Sequence, residues 1–271
     1  MSKSLKLKLL VGGVIGLATF LAVASVWNDS FIVDEIPHVG AGYAYVDKGD
    51  MRLNPEHPPL AKDLAGISLH FLNLKDDEAF QSRFWTEDIN GQWEFGRKLI
   101  FNSGNNADLA TNAAKIPIFA FFVASAILIF HAAHKLYGPR SGLIALILFS
   151  FSPTVLAHSR FVTTDIPALF GILYATYFFI RYLKNPTRQN FWLAGVMFGL
   201  ALITKFSAFL LVPYFVILAL VWEWTHDKGQ KWRKARIHLW QTVLIFAVGF
   251  VVVVWPVYYF HTWHYPAERQ Y

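Results

Sequence analysis

Residues 191–224 run for 34 positions with one cation, Lys205, in their interior and one acid, Glu223, near their end. As a single helix they would extend about 51 Å at about 1.5 Å per residue, against a bilayer hydrocarbon core of about 30 Å. The run therefore reads as two membrane spans, and its break falls at Thr204-Lys205-Phe206. A lysine is costly in mid-bilayer but well placed at a hairpin tip on the interface. Five further apolar stretches, at 9–27, 116–133, 143–157, 166–182 and 239–260, bring the expectation to seven spans. The predicted fold class is thus an all-α polytopic membrane protein. Its composition agrees: 55% apolar and 15% charged, where globular chains average about 45–50% and about 25%. The absence of cysteine excludes a disulfide scaffold, thiolate nucleophiles, cysteine-ligated zinc and iron–sulfur clusters.

A net charge of +6 fits either nucleic acid or the positive-inside rule, and its distribution decides between them. With the N-terminus cytoplasmic, the cytoplasmic segments hold 13 of the 24 basic residues: Lys3, Lys6, Lys8, Lys135, Arg140, Arg181, Lys184, Arg188, Lys228, Lys231, Arg233, Lys234 and Arg236. Only Glu223 and Asp227 oppose them. Topology accounts for the basic charge, and nucleic acid drops out as a partner. Reading 191–224 as one span would place the last five cations outside, which independently supports the hairpin. Trp27, Trp222, Trp224, Trp255 and Trp263 fall near expected interfaces.

The expected organisation is a single membrane domain over 1–271. It comprises a first span at 9–27, an external loop at 28–115, spans two to seven within 116–260 and a short external tail at 261–271. The first span also resembles a signal peptide, with Lys3 to Lys8 as n-region and Ala22-Val23-Ala24 as cleavage site. Its apolar stretch exceeds the usual 7–15 residues, which favours retention in the membrane.

The external loop is too long and too rich in Trp, Phe and Leu for a passive connection. After an Asp29-Ser30 turn it presents Asp34-Glu35-Ile36-Pro37-His38, two adjacent carboxylates close to the outer membrane surface. Helix capping accounts for such a pair as readily as chemistry does. Gly40 to Tyr45 continues as a short interfacial helix. Asn54-Pro55-Glu56-His57-Pro58-Pro59-Leu60-Ala61-Lys62 then holds His57 rigidly and enters a second, surface-lying helix. His158-Ser159-Arg160-Phe161-Val162-Thr163-Thr164-Asp165 places an acid at the start of the fourth span, where the helix dipole alone would favour it. Lys205 could serve by snorkelling only. By topology Asp34, Glu35, His57, Arg160, Asp165 and Lys205 all lie at the outer interface, from four parts of the chain.

A sugar donor outside the cytoplasm is usually a polyprenyl-phosphate sugar, whose phosphate sits at headgroup level. Transfer needs one carboxylate to take the acceptor hydroxyl's proton, and positive charge at the leaving phosphate. A hydrolase would want a second carboxylate as acid across the bond.

Asp34-Glu35 after span one, the His57-Pro58-Pro59-Leu60 box, the Ser159 to Asp165 loop and the Gly199 to Ser207 stretch resemble the N-terminal half of family 39 glycosyltransferases. These are the dolichyl-phosphate-mannose protein mannosyltransferases and their bacterial relatives in the GT-C superfamily. The resemblance implies Asp34 as catalytic base with Glu35 beside it. His57, Arg160, Asp165 and Lys205 become site-forming or donor-phosphate residues, and protein or glycolipid the hydroxyl acceptor. Two departures stand out. Lys115 occupies the entry to span two, where relatives often carry Arg, and so lacks a bidentate fork. Relatives also continue for several more spans, so the chain reads as an N-terminal half.

The competing classes are a transporter or flippase for an anionic lipid or solute, and a non-catalytic scaffold. Transporters place binding groups near the midplane, where this sequence has none. The sequence assigns no cofactor. A divalent metal at Asp34, Glu35, His38 or His57 suits the residue types, although the spacing defines no site.

Overall fold

The computed structural model describes residues 2–27, 29–88, 90–226 and 231–263. Lys228 of the expected basic cluster and the tail from 264 onward lie outside them. Among the described residues the regular structure is entirely helical. The chain divides into two compact units, one of Met1–Pro167 with His261–Tyr271 and one of Ala168–Phe260.

The first unit opens with α1 (Lys3–Ala24), started by Ser2, whose hydroxyl accepts the Leu5 amide at 3.2 Å. Then come the loop helices α2 (Glu35–Lys48), α3 (Leu60–His70), α4 (Asp77–Phe80), α5 (Arg83–Thr86) and α6 (Gln92–Arg97). They are followed by α7 (Ala107–Tyr137), α8 (Pro139–Ser150) and α9 (Pro153–His158). Gly138, at φ +89°, terminates α7, and Pro139 begins α8 in the favoured first position. Pro153 likewise divides the apolar run 143–157 into α8 and α9.

α7 begins at Ala107, where Asn106 caps it through the Leu109 amide. The loop was expected to continue to Lys115. That lysine instead stands about two turns inside the helix, because a good cap and an alanine-rich first turn start the helix before the strongly apolar segment does.

α2 is enclosed along Glu35–Tyr45, more deeply than a short interfacial helix suggests. Glycines make this enclosure. A Cβ on Gly42 would lie 2.0 Å from the Lys62 carbonyl oxygen on α3, and one on Gly40 2.7 Å from Gly96 Cα on α6. Backbone therefore packs on backbone on two sides of α2.

The second unit comprises α10 (Asp165–Lys184) from Ala168 onward, α11 (Arg188–Leu202), α12 (Leu211–His226), α13 (Lys231–Gly249) and most of α14 (Trp255–Thr262). Phe179 stacks on Phe215 with ring centroids 4.1 Å apart, and Phe198 packs on Phe246 at 4.7 Å. The 34-residue apolar run breaks where its length requires. α11 ends at Leu202, Lys205 is extended, and a 3-10 turn at Phe206–Leu210 leads into α12.

Five helical segments among the described residues are long and apolar enough to cross a membrane. They are Ser4–Ala24, Ala107–Tyr137, Asp165–Lys184, Phe206–Thr225 and Ala235–Thr262. At the other two of the seven expected positions stand α8, with 12 residues, and α11, with 15. They measure about 18 and about 22 Å, shorter than the hydrocarbon core. Large apolar side chains such as Leu10, Phe20, Leu148, Phe209 and Val251 remain exposed, as side chains facing lipid do.

Candidate active site

Two adjacent carboxylates at the start of α2 meet opposite environments. Asp34 is the N-cap residue, yet its side chain makes no capping bond and is exposed. Glu35, one residue on, is completely buried. Its Oε2 accepts the Ile32 amide at 2.9 Å and its Oε1 the Val162 amide at 2.8 Å. Lys115 Nζ, also buried, stands 3.9 Å from Oε1. Burial pushes the Glu35 carboxyl above the usual carboxylate range, against the two amides and the Lys115 and Arg160 charges, which pull it down. Glu35 thus fastens the end of the first connection to the loop that precedes α10.

That loop carries two of the sequence-predicted residues. Arg160 Nη1 donates to the Ser25 carbonyl at 2.9 Å and to Asp29 Oδ2 at 3.1 Å, so the guanidinium satisfies a carbonyl at the C-terminal end of α1. Asp165 opens α10; its Oδ2 accepts from the Thr163 hydroxyl at 3.2 Å and lies 3.5 Å from His158 Nδ1. Asp29, which reads in sequence as a plain turn residue, is therefore Arg160's partner.

His57 approaches α2 from the proline-rich segment, its ring 5.1 Å from that of His38. The segment is organised by Lys62, which the sequence reading passed over. Lys62 is completely buried, and its Nζ donates to the Tyr45 hydroxyl at 2.9 Å, the Asn54 carbonyl at 2.6 Å and the His57 carbonyl at 2.7 Å, with Asn54 Oδ1 at 3.1 Å. Among the described residues no carboxylate pairs with it, and burial pushes the amine down to about 7, with Asp63 and Glu56 opposing. Asn54 takes a left-handed φ of +51°, and its amide reaches Gln92 Oε1 at 2.6 Å. Gln92 in turn donates to Glu56 Oε1 at 2.8 Å. The signal available in the sequence was the lysine one turn into α3, directly behind the proline pair.

Through Glu35 the first unit therefore ties the start of α2, where Asp34 stands, to the loop that carries Arg160 and leads to Asp165, and it sets the His57 ring beside His38 on α2. Lys205 belongs to the second unit, at the break between α11 and α12. Among the described residues no three histidine or acidic side chains form a group that could hold a metal ion.

Helices of spanning length, joined by a large folded loop that buries one of two adjacent acids at the start of α2, define a polytopic membrane protein. The model of the dolichyl-phosphate-mannose-protein mannosyltransferases matches residues 107–255, and the chain belongs to that family. The Asp34-Glu35 pair and the His57 box lie ahead of the matched segment. No curated protein matches the chain. In fold it is similar to a chain of the Saccharomyces cerevisiae protein O-mannosyltransferase Pmt1–Pmt2 complex bound to the sugar donor. The TM-score is 0.67 at 20% identity, covering 95% of this chain and 34% of that one. The chain thus spans about a third of the length of the protein it resembles.

Proposed function

We propose that this chain carries the catalytic part of a membrane glycosyltransferase that moves a sugar from a polyprenyl-phosphate donor to a hydroxyl of a protein or glycolipid acceptor. The reaction lies on the non-cytoplasmic face, with the N-terminus cytoplasmic. The observation that carries the reading is the divergence of the two adjacent carboxylates. Glu35 is committed to the fold, which leaves the exposed Asp34 as the acid able to meet an acceptor.

Asp34 takes the acceptor hydroxyl's proton as that oxygen bonds to the anomeric carbon. The bond from that carbon to the phosphate oxygen breaks, and its electron pair leaves with the polyprenyl phosphate. Arg160 meets the charge that develops there. Asp165 and His57 shape the site around them. A transporter or flippase is the weaker alternative, since family membership supports transfer chemistry instead.

The test incubates membranes holding the chain with radiolabelled polyprenyl-phosphate sugars and follows label into acceptor or water-soluble product. Transfer lost in Asp34→Asn at unchanged donor binding supports the assignment. Label that crosses the membrane still attached to its lipid overturns it in favour of transport.

A further inference from the structure

A groove of about 590 Å³ runs between α1 and α8, lined by Lys6, Leu10, Gly13, Leu17, Ile147 and Phe151 among others. A second hollow of about 380 Å³ shares Lys6 and Leu10 with it and adds Ser4, His134 and Pro139. The two form one channel, apolar along α1 and cationic at its N-terminal end. Gly13 lines the groove, and a Cβ there would meet nothing within 4 Å. From Lys6 to Leu17 the groove follows α1 for about 16 Å. That is about half of the 30 Å hydrocarbon core, the depth of one leaflet.

Residues 1–28 and 109–164, which supply every lining residue of both hollows, contain no Asp or Glu, while Lys6 stands where the two hollows meet. His134 lines the hollow beside Lys6. We propose that the channel binds one anionic glycerophospholipid of the bilayer, with an acyl chain in the α1–α8 groove and its phosphate at Lys6 and His134. A second copy of the chain fits less well. Parallel α1 helices about a two-fold axis would set Lys3, Lys6 and Lys8 beside their counterparts with no acid between them.

The full chain is reconstituted in vesicles of equal phosphatidylglycerol and phosphatidylcholine and extracted in mild detergent. Retained lipids are then counted by native mass spectrometry. The expected preference for phosphatidylglycerol is about fivefold or more, the weight of one cation at an anionic headgroup. Lys6→Gln combined with His134→Gln brings the ratio close to one, Lys6→Arg keeps it, and Gly13→Phe, which fills the groove, lowers retention of both lipids. Equal retention by the unaltered chain, or a preference that survives the double substitution, overturns the proposal. Because the chain has no cysteine, Gly13→Cys reports the competing occupant. A disulfide-linked dimer at high lipid-to-protein ratio assigns the groove to a second copy and likewise overturns the proposal.

Discussion

The Glu35 carboxylate accepts the Val162 amide at 2.8 Å across 127 positions of sequence. This bond carries the Arg160–Asp165 loop to the start of α2, beside the exposed Asp34. It also separates the roles of two acids that neighbour each other in the chain, one held by the fold and one open to a substrate.

The first prediction follows from that separation. Asp34→Asn lowers turnover by about 10²–10⁴-fold, the weight of a general base, with protein level unchanged. Glu35→Gln leaves Lys115 buried without its charge partner and acts on the fold, at about 3–5 kcal/mol. Turnover per folded molecule, together with the melting temperature of each variant, distinguishes the two. Equal losses of stability would place both carboxylates in the scaffold.

Lys62 gives a pH signature. Its folded-state pKa of about 7 lies below the value of about 10.4 for an unfolded chain, so between these limits the unfolded state holds more protons. The lysine's contribution to stability is full above about pH 10.4 and is lost progressively as the pH falls from there to about 7. The slope reaches about 1.4 kcal/mol per pH unit at most. The difference in melting temperature between the parent and Lys62→Met, measured from pH 7 to 10, should carry that slope. The variant is also destabilised throughout, by about 1–3 kcal/mol for each buried acceptor left unmet.

Asp29 and Arg160 should behave as a partner pair in stability and as unequal residues in function. The pair is partly exposed, so Asp29→Asn and Arg160→Gln each cost only about 0.2–1 kcal/mol. If Arg160 also faces the donor phosphate, only its substitution raises the KM for donor. Matching kinetic effects in the two variants would reduce Arg160 to an anchor for α1.

The glycines of the α2 crossing separate packing from propensity. Gly42→Ala puts a Cβ 2.0 Å from the Lys62 carbonyl oxygen, and the backbone shift it forces costs about 1–3 kcal/mol or more. The same substitution at Gly12, where nothing lies within 4 Å, is neutral or stabilising by about 0.5–1 kcal/mol. Thermal unfolding of the two single variants reads the contrast directly.

The break at Lys205 was legible because it rests on length. Thirty-four residues cannot cross a 30 Å core once, and the one interior cation marks the cheapest place to turn. The positions of the apolar helices were legible for the same reason, as were the acids after the first span, since desolvation acts on composition residue by residue. The start of α7 was not legible, because a polar cap and an alanine-rich turn extend a helix past the edge of its apolar stretch. Nor was the burial of α2, which depends on Gly40 and Gly42 meeting the backbone of Gly96 on α6 and of Lys62 on α3.

Sequence by itself determined that the chain is helical, that it enters a membrane, and which residue types stand where its first loop begins. Tertiary structure alone decided which carboxylate is buried, that Arg160 binds the end of α1, and that Lys62 organises the segment carrying His57. These depend on partners up to 135 positions away. A side chain's desolvation and hydrogen bonds are set by what the fold brings against it, and its neighbours along the chain do not record that.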